Sequence, residues 1–282
     1  MAPSPFEAHA RSFLSSRYVY PVLSRRARGI SIGINLIPDK TCNFRCVYCQ
    51  VDPAGPDKEP RVDLTVLREE LDAMLDLATS GQLFGQTHFR STPEPLRRLN
   101  DIAFSGDGEP TGSPQFGEAV AVCAEARRRR RLDDLKLVLI TNSSLLDRPR
   151  VREALAVLDA NHGEIWAKLD AGTEAYYRQI ARTQVPLERI LANLREAARV
   201  RPIVVQSLFL RMHGEAPPPA ELEAYCQRLG AITAAGGQIK LVQVHTIARP
   251  PAENWVAPLS AAEVAAIAEL VRQRTGLPVD AF

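Results

Sequence analysis

Residues 30–49 read ISIGINLIPDKTCNFRCVYC, in which an apolar run is followed after four residues by three closely spaced cysteines. The β-branched residues of 30–37 predict a β-strand. Directly after it, Cys42, Cys46 and Cys49 form a C-x3-C-x2-C pattern at the carboxyl edge, where parallel α/β sheets place their sites. A compact loop of this kind can aim three thiolates at one metal centre. The stretch therefore predicts an α/β fold and the position of its site.

The rest of the chain alternates short apolar runs with longer helical patterns, which favours a parallel sheet with helices outside. The helical pattern is clearest at 187–198, where Leu187, Ile190 and Leu194 share one face. Because crossovers between parallel strands are right-handed, the units curl into a partial (βα)6 TIM-like barrel. We predict a lead-in over 1–29 and a single barrel domain over 30–282. The six predicted strands are 30–37, 101–105, 135–141, 164–170, 203–211 and 239–245.

The composition indicates a globular protein without a pronounced charge. Of its 282 residues, 45% are apolar, which is enough for a substantial core. The net charge of +2 gives no strong attraction to nucleic acid or membrane. No apolar run approaches the roughly 18 to 20 residues of a membrane span, and the N-terminus lacks the apolar core of a signal peptide. We therefore expect a cytoplasmic protein.

The cysteines indicate metal chemistry, because three of the five fall within eight residues and the total is odd. Soft sulfur ligands suit an iron-sulfur cluster, and three ligands for four irons leave one iron open to a substrate. A structural zinc site would want a fourth Cys or His nearby. An electron-carrying cluster would normally need a fourth Cys, but Cys123 and Cys226 lie in predicted helices, where small buried thiols are expected. Both remain alternatives.

At the cysteine pattern the sequence resembles the radical S-adenosylmethionine (SAM) superfamily, whose signature is a C-x3-C-x-aromatic-C loop after the first strand of a partial barrel. Tyr48 stands at the aromatic position. The resemblance implies a [4Fe-4S] cluster on Cys42, Cys46 and Cys49, with the amino and carboxylate groups of SAM on the open iron. One electron from the cluster would cleave SAM to methionine and a 5'-deoxyadenosyl radical, which abstracts hydrogen from a substrate. A reductant such as flavodoxin or ferredoxin is the implied partner.

A second motif, SGDGEPT at 105–111, follows the second predicted strand and is similar to the GGEP element of the same superfamily. Its glycines allow the backbone to approach a ligand closely, and a carboxylate can accept hydrogen bonds from an ammonium. The candidate SAM-binding residues are Gly106, Asp107, Gly108 and Glu109, with Glu109 as the partner of the SAM amine. The alternative is a structural strand-to-helix turn with Glu109 near a helix start.

Polar residues end the later predicted strands, where a core filled only for stability would be apolar. Lys168 and Asp170 share one parity with Trp166, and buried charges must pair or meet a ligand because isolated ones are costly. Lys168 and His245 are the candidate catalytic residues, since a strand-end histidine is well placed for proton transfer. For each candidate a structural hydrogen bond is the alternative. By the same resemblance, the remaining candidates for SAM or substrate contact are Tyr48, Thr141, Asn142, Gln206 and Gln243.

The two motifs, together with 141–143 and 168–172, most resemble a bacterial and archaeal group related to the tRNA wyosine-forming enzymes. Those enzymes carry further cysteines for a second cluster, whereas this chain supports one. The substrate is a small metabolite, a peptide or RNA. The arginines of 127–131 would bind phosphates if it were RNA, but a run of like charge on an outer helix favours solvated surface. The alternative function is an electron carrier or sensor without SAM cleavage.

Overall fold

The computed structural model describes residues 13, 15–51, 61–249, 251 and 253–282. Within the predicted lead-in, residues 1–12 and 14 lie outside the described residues, and the single-domain interpretation of 30–282 stays a prediction. No described helix is long and apolar enough to cross a membrane. The backbone divides into two compact units: unit 1 comprises 1–41, 53–140 and 148–164, and unit 2 comprises 42–52, 141–147 and 165–282.

Unit 1 is built on four strands in the order β1, β2, β3, β4. Strand β1 runs antiparallel to β2, and the later neighbours are parallel. The strands are β1 Val19–Ser24, β2 Gly29–Ile34, β3 Leu99–Phe104 and β4 Lys136–Thr141. The helices are α1 Leu64–Thr79, α2 Phe116–Arg129 and α3 Pro149–Asp159, with short 3-10 helices at Gln82–Gly85, Glu94–Leu96 and Pro110–Gly112.

Helix α1 shows how the local sequence sets these elements. Asp63 caps its N-terminus by accepting hydrogen bonds from the backbone amides of Thr65 and Val66, which satisfies two donors that the first turn leaves open. Leu67 and Leu71 lie one turn apart on the buried face. Each fully buried leucine contributes about 1.5–3 kcal/mol, so this face fixes the helix against the core of unit 1.

Unit 2 contains parallel strands in the order β5, β6, β8, β10 and a separate antiparallel pair, β7 with β9. The first two residues of β5 belong to unit 1. The strands are β5 Gly163–Lys168, β6 Ile203–Leu208, β7 Leu210–Met212, β8 Ile239–His245, β9 Val256–Pro258 and β10 Val279–Ala281. The helices are α4 Glu174–Ala181, α5 Leu187–Val200, α6 Pro219–Ala234 and α7 Ala261–Thr275.

All six predicted strands are present, but three of them end at least two residues before the predicted position, and one begins two residues earlier, at Leu99. Strand β2 ends at Ile34 rather than at residue 37, because Asn35 Oδ1 accepts a hydrogen bond from the Ile37 amide (3.1 Å) and turns the chain. The predicted strand 164–170 ends at Lys168, and 203–211 divides into β6 and β7. The predicted strand 203–211 is divided because β7 leaves the parallel sheet to pair with β9.

The strands β1, β9 and β10 were missed, for two physical reasons. Strands β9 and β10 have only three residues each, too few to show an alternating pattern. Strand β1 contains Pro21, which cannot donate a backbone hydrogen bond and is tolerated because β1 is the edge strand. The predicted helix 187–198 is confirmed by α5.

The interpretation of 127–131 as solvated surface was wrong for part of the run. Arg127 is buried, and its Nε donates to the Leu135 carbonyl (2.7 Å) while its Nη2 donates to the Asp133 carbonyl. Arg129 and Arg130 form ion pairs with Asp72 of α1. Sequence reasoning treated the five arginines as one group, whereas the last turn of α2 and the residues after it distribute them between interior and surface.

Candidate functional site

The cysteine loop, which we define as residues 42–49, is held in unit 2 by backbone hydrogen bonds to helix α4. The Arg45 amide donates to the Ala181 carbonyl (3.0 Å), and the Val47 amide donates to the Ile180 carbonyl (2.9 Å). These carbonyls belong to the last turn of α4, which leaves such groups without partners inside the helix. The C-terminus of α4 therefore fixes the course of the loop.

A network of polar side chains also anchors the loop. Asn142 Nδ2 donates to Asn43 Oδ1 (2.8 Å), and Asn43 Nδ2 donates to Ser144 Oγ (2.8 Å). Ser144 Oγ in turn donates to Asn142 Oδ1 (2.6 Å), and Thr183 Oγ1 donates to the Asn43 carbonyl (2.8 Å). The predicted residue Asn142 thus supports the loop. Sequence reasoning missed Asn43 because an asparagine between cysteines carries no distinctive pattern.

The three cysteines of the loop form no disulfide. Cys42 is exposed, and Cys46 and Cys49 are half-buried. In the described ranges, no group of three or more Cys, His, Asp or Glu side chains is arranged to hold a metal ion. The fit to an iron-sulfur cluster therefore rests on the chemistry of the donors, which are three soft sulfur ligands on one short loop. Cys123 and Cys226 lie in α2 and α6, as predicted.

The loss of solvent around the sulfur is the largest influence on the pKa of the Cys46 thiol. It raises the pKa of the Cys46 thiol to about 12, while the charge of Lys168 lowers it and the charge of Asp170 raises it. The thiol is therefore protonated near neutral pH. Metal binding requires the thiolate, so ligation by Cys46 must be accompanied by release of a proton.

Tyr48 is the centre of a hydrogen-bonded group with Lys168 and Asp170. Lys168 Nζ donates to the Tyr48 hydroxyl (2.8 Å), which donates to Asp170 Oδ2. Lys168 Nζ also lies 3.9 Å from Asp170 Oδ2 and 4.5 Å from the Tyr48 ring centroid. Asp170 Oδ1 accepts from the Leu208 amide (2.8 Å). The expectation that these strand-end charges pair is confirmed, and the partner that they share is the aromatic residue of the cysteine loop.

A small cavity lies beside the cysteine loop within unit 2. Cys46, Tyr48 and Lys168 line it together with Phe44 and Tyr177. The Tyr177 hydroxyl is buried and has no hydrogen-bond partner in the described part of the chain. Burial raises the pKa of Tyr177, and the negative charge of Cys46 acts in the same direction. Sequence reasoning missed Tyr177, which lies on a helix outside every motif.

Three of the predicted strand-end residues are brought together in one row. Lys168 of β5 is in register with Gln206 of β6, which is in register with Gln243 of β8. In parallel strands, side chains at matched positions lie on the same face. Gln206 Nε2 donates to Gln243 Oε1 (2.8 Å), while Gln206 Oε1 is buried without a partner in the described residues. His245 is buried two positions further along β8.

Thr141 and Ser143 shape the end of β4 locally. Thr141 Oγ1 accepts a hydrogen bond from the Ser143 amide (3.0 Å), and Ser143 adopts a positive φ of 68°. Asn193 Nδ2 of α5 donates to the Ser143 carbonyl (2.8 Å). This hydrogen bond of Thr141 is local and structural, and its contact with SAM or substrate stays a prediction.

In unit 1, the turn 105–111 is shaped by its glycines. Gly106 has φ of 142°, and a Cβ there would lie 2.6 Å from Asn35 Oδ1. A Cβ on Gly108 would lie 2.3 Å from the Thr41 carbonyl oxygen. No side chain fits at either position without displacement, so the chain requires glycine at both. Asp107 accepts a hydrogen bond from Asn35 Nδ2 (2.7 Å).

Glu109 is 4% exposed and acts as the cap of the 3-10 helix at Pro110–Gly112. Its Oε1 accepts hydrogen bonds from the Thr111 amide (3.2 Å) and the Thr111 hydroxyl (2.6 Å). This matches the structural alternative for the motif.

The sequence model of the family described as the radical SAM superfamily matches residues 36–217. Two curated proteins are similar over part of their length. The UPF0026 protein MJ1312 of Methanocaldococcus jannaschii is 31% identical over 62% of this chain and 47% of that protein. The GTPase Obg of Brachyspira hyodysenteriae is 26% identical over 67% of this chain and 25% of that protein. The match thus spans about half or less of each relative.

Among solved structures, Streptococcus suis SuiB bound to S-adenosylmethionine superposes with a TM-score of 0.56 at 11% identity. The superposition covers 90% of this chain and 48% of SuiB. At this identity the likeness concerns the fold alone. The predicted fold class, an α/β partial TIM-like barrel, is confirmed by it.

Proposed function

The chain belongs to the radical SAM superfamily, and we propose that it is an enzyme that holds a [4Fe-4S] cluster on Cys42, Cys46 and Cys49 to cleave SAM. Membership indicates SAM-dependent radical chemistry in general, and the cluster type, its ligands and the substrate are the finer parts of the proposal. One observation carries it: three thiols outside any disulfide lie on one short loop that its neighbours hold in place.

When bound, the cluster supplies the electron that breaks a carbon–sulfur bond of SAM to give methionine and a 5'-deoxyadenosyl radical. The residues of the chain hold the cysteine loop in place and orient the side chains around it. Asn43 and Asn142 hold the cysteine loop through their paired amides. Lys168 and Asp170 fix the Tyr48 hydroxyl from two sides, so the ring next to Cys49 keeps one orientation. Such fixed supports around ligands tune a metal site as the ligands themselves do.

For SAM, we keep Glu109 as the partner of the amine, with Gly106, Asp107 and Gly108 in the same turn. This assignment rests on the motif and on the ability of a carboxylate to accept charge-assisted hydrogen bonds from an ammonium. Among the strand-end residues, Gln206 is supported best, because its buried Oε1 lacks a partner in the described residues and such atoms are normally satisfied. The other proposed SAM-contact residues are Tyr48, Thr141, Asn142 and Gln243.

On the substrate side, Lys168 and His245 are the proposed catalytic residues. Lys168 and Gln206 share a row, and His245 follows on the same face of β8 as Gln243. The substrate is a small metabolite, a peptide or RNA, of which RNA is not favoured. A flavodoxin or ferredoxin is the proposed reductant.

The experiment that tests this proposal measures whether the protein cleaves SAM. Anaerobically reconstituted protein, reduced with dithionite and supplied with SAM, should form 5'-deoxyadenosine and methionine in equal amounts, measured by chromatography and mass spectrometry. Cys46→Ala should form neither, and Cys123→Ala, which removes a buried helical thiol, should retain both products. A protein that binds four irons but leaves SAM intact would instead be the electron carrier or sensor.

A further inference from the structure

The cavity beside the cysteine loop contains a polar atom for which the loop and its neighbours provide no partner. The Tyr177 hydroxyl is buried and makes no hydrogen bond within the described ranges. Buried hydroxyls in native proteins nearly always have a partner, and each exception needs an explanation such as an ion or group that completes the site. A neighbouring cluster would be such a group.

Tyr177 is held close to the loop by its own helix. The α4 carbonyls of Ile180 and Ala181 accept hydrogen bonds from the loop backbone. The Tyr177 ring also packs edge-on against Phe44 of the loop, with ring centroids 6.1 Å apart and planes at 75°. The ring is therefore fixed relative to the cysteines that flank Phe44.

The chemistry of the two groups is complementary. Cys46 lines the same cavity as Tyr177, and a thiolate at Cys46 acts electrostatically on the phenol. A phenol is protonated near neutral pH and can donate a hydrogen bond. The sulfur atoms of a cluster and its thiolate ligands accept hydrogen bonds. Two other polar side chains of the cavity form their own hydrogen-bonded group: Tyr48 donates to Asp170, and Lys168 donates one of its three N–H groups to Tyr48.

We propose that Tyr177 is a positioning residue whose hydroxyl donates a hydrogen bond to the Cys46 sulfur or an adjacent sulfide when the cluster is bound. This inference rests on the proposed function and adds a residue that tunes the reduction potential. Hydrogen bonds to cluster sulfurs are among the factors that set that potential. Because the reduced cluster carries more negative charge, a donor stabilises it and raises the potential.

The experiment compares anaerobically reconstituted wild-type protein with Tyr177→Phe in a redox titration followed by electron paramagnetic resonance. The variant should bind the same amount of iron but have a more negative midpoint potential. We expect the equilibrium constant for reduction to fall by about three- to tenfold; a tenfold change corresponds to about 59 mV for one electron. Tyr176→Phe, which removes the adjacent phenol of α4, should leave the potential unchanged.

A second substitution keeps the test decisive if Tyr177→Phe does not retain the cluster. Replacement of Tyr177 by 3-fluorotyrosine retains the ring and makes the hydroxyl a stronger donor, so the midpoint potential should become less negative. If every Tyr177 variant that retains the cluster has the wild-type potential, or if Tyr176→Phe shifts it equally, the role of Tyr177 is wrong while the proposed function stands. Wild-type protein that binds no cluster would overturn both.

Discussion

The cysteine loop of unit 2 and the turn 105–111 of unit 1 both follow a parallel strand in the sequence, but they use their polar side chains differently. In the turn, the carboxylate of Glu109 accepts hydrogen bonds from Thr111 and caps the next helix. In the loop, the supporting bonds come from backbone amides and from Asn43. The turn is therefore supported by the carboxylate that is proposed to bind SAM, whereas the loop is joined to α4 and to Asn142 by groups other than the thiols that are proposed to bind the cluster.

In the loop, the residues proposed to bind the cluster differ from those that join the loop to its neighbours. In the turn, one carboxylate is proposed to have both roles. A cysteine of the loop can be replaced without removing the hydrogen bonds that join the loop to α4 and to Asn142. Replacing Glu109 removes a group that both caps a helix and is proposed to bind SAM. Substitutions that measure stability and ligand binding side by side test this contrast directly.

The largest expected effect is at the cysteines. Cys42→Ala, Cys46→Ala and Cys49→Ala should each abolish the [4Fe-4S] absorbance band and the bound iron, because a cluster on three protein ligands cannot lose one and remain intact. The free energy of unfolding of the cluster-free proteins should change by less than about 0.5 kcal/mol at the exposed Cys42. Iron analysis and urea unfolding measure the two quantities.

The controls for this prediction are the buried helical cysteines. Cys123→Ala and Cys226→Ala should keep full iron content while losing stability, since they remove buried apolar volume. A full cluster in all three loop variants would disprove the ligand assignment.

A smaller effect is expected at Glu109. Glu109→Gln retains an acceptor for Thr111, so the helix cap should survive, but it removes a charged partner of the SAM amine. Such a loss costs roughly 1.5–3 kcal/mol, or about ten- to a hundred-fold in SAM affinity. Equilibrium binding of SAM to the reconstituted variant measures it, with iron content as the check that the cluster is present.

The matched control removes the structural role instead. Thr111→Val deletes the hydroxyl that donates to Glu109, so stability should fall while SAM affinity changes little. Equal SAM affinity in wild-type protein and Glu109→Gln would place the amine site on another residue and leave the turn as purely structural.

The sequence was sufficient for the strand framework and for the cysteine loop, because both are encoded locally. Apolar runs located six strands, and spacing alone located the loop. The pairing of Lys168 with Asp170 followed from their shared parity in the predicted strand 164–170 and from the cost of buried charge. Local patterns of this kind do not depend on which distant elements come together.

The parts that could not be predicted depend on packing between distant segments. Nothing in the sequence near Asn142 indicates that its amide holds Asn43, 99 residues away. Tyr177 has no motif, and its relevance arises from the packing of α4 against the loop. The arginines of 127–131 look equivalent in the sequence, but one of them supports buried backbone carbonyls.

The smallest expected effect is at these arginines, and the structure changes how it should be tested. Replacing all five by Gln would also remove Arg127, whose guanidinium satisfies the Leu135 carbonyl; leaving such a group unsatisfied costs about 1–3 kcal/mol. The informative variant keeps Arg127 and replaces only residues 128–131 by Gln. It removes ion pairs to Asp72 and Asp76, which at partly exposed positions are worth about 0.2–1 kcal/mol each.

If a metabolite or peptide is the substrate, this variant should show only that small decrease in stability in urea unfolding, and its RNA binding should match that of wild-type protein at every salt concentration. Lys168→Met and His245→Ala in unit 2 should instead impair substrate turnover. If RNA is the substrate, affinity should fall and its salt dependence flatten by about one unit of log–log slope for each RNA phosphate that the variant no longer neutralises. Weaker and less salt-dependent RNA binding, together with unaltered turnover in the Lys168 and His245 variants, would transfer substrate recognition to the arginines of 128–131.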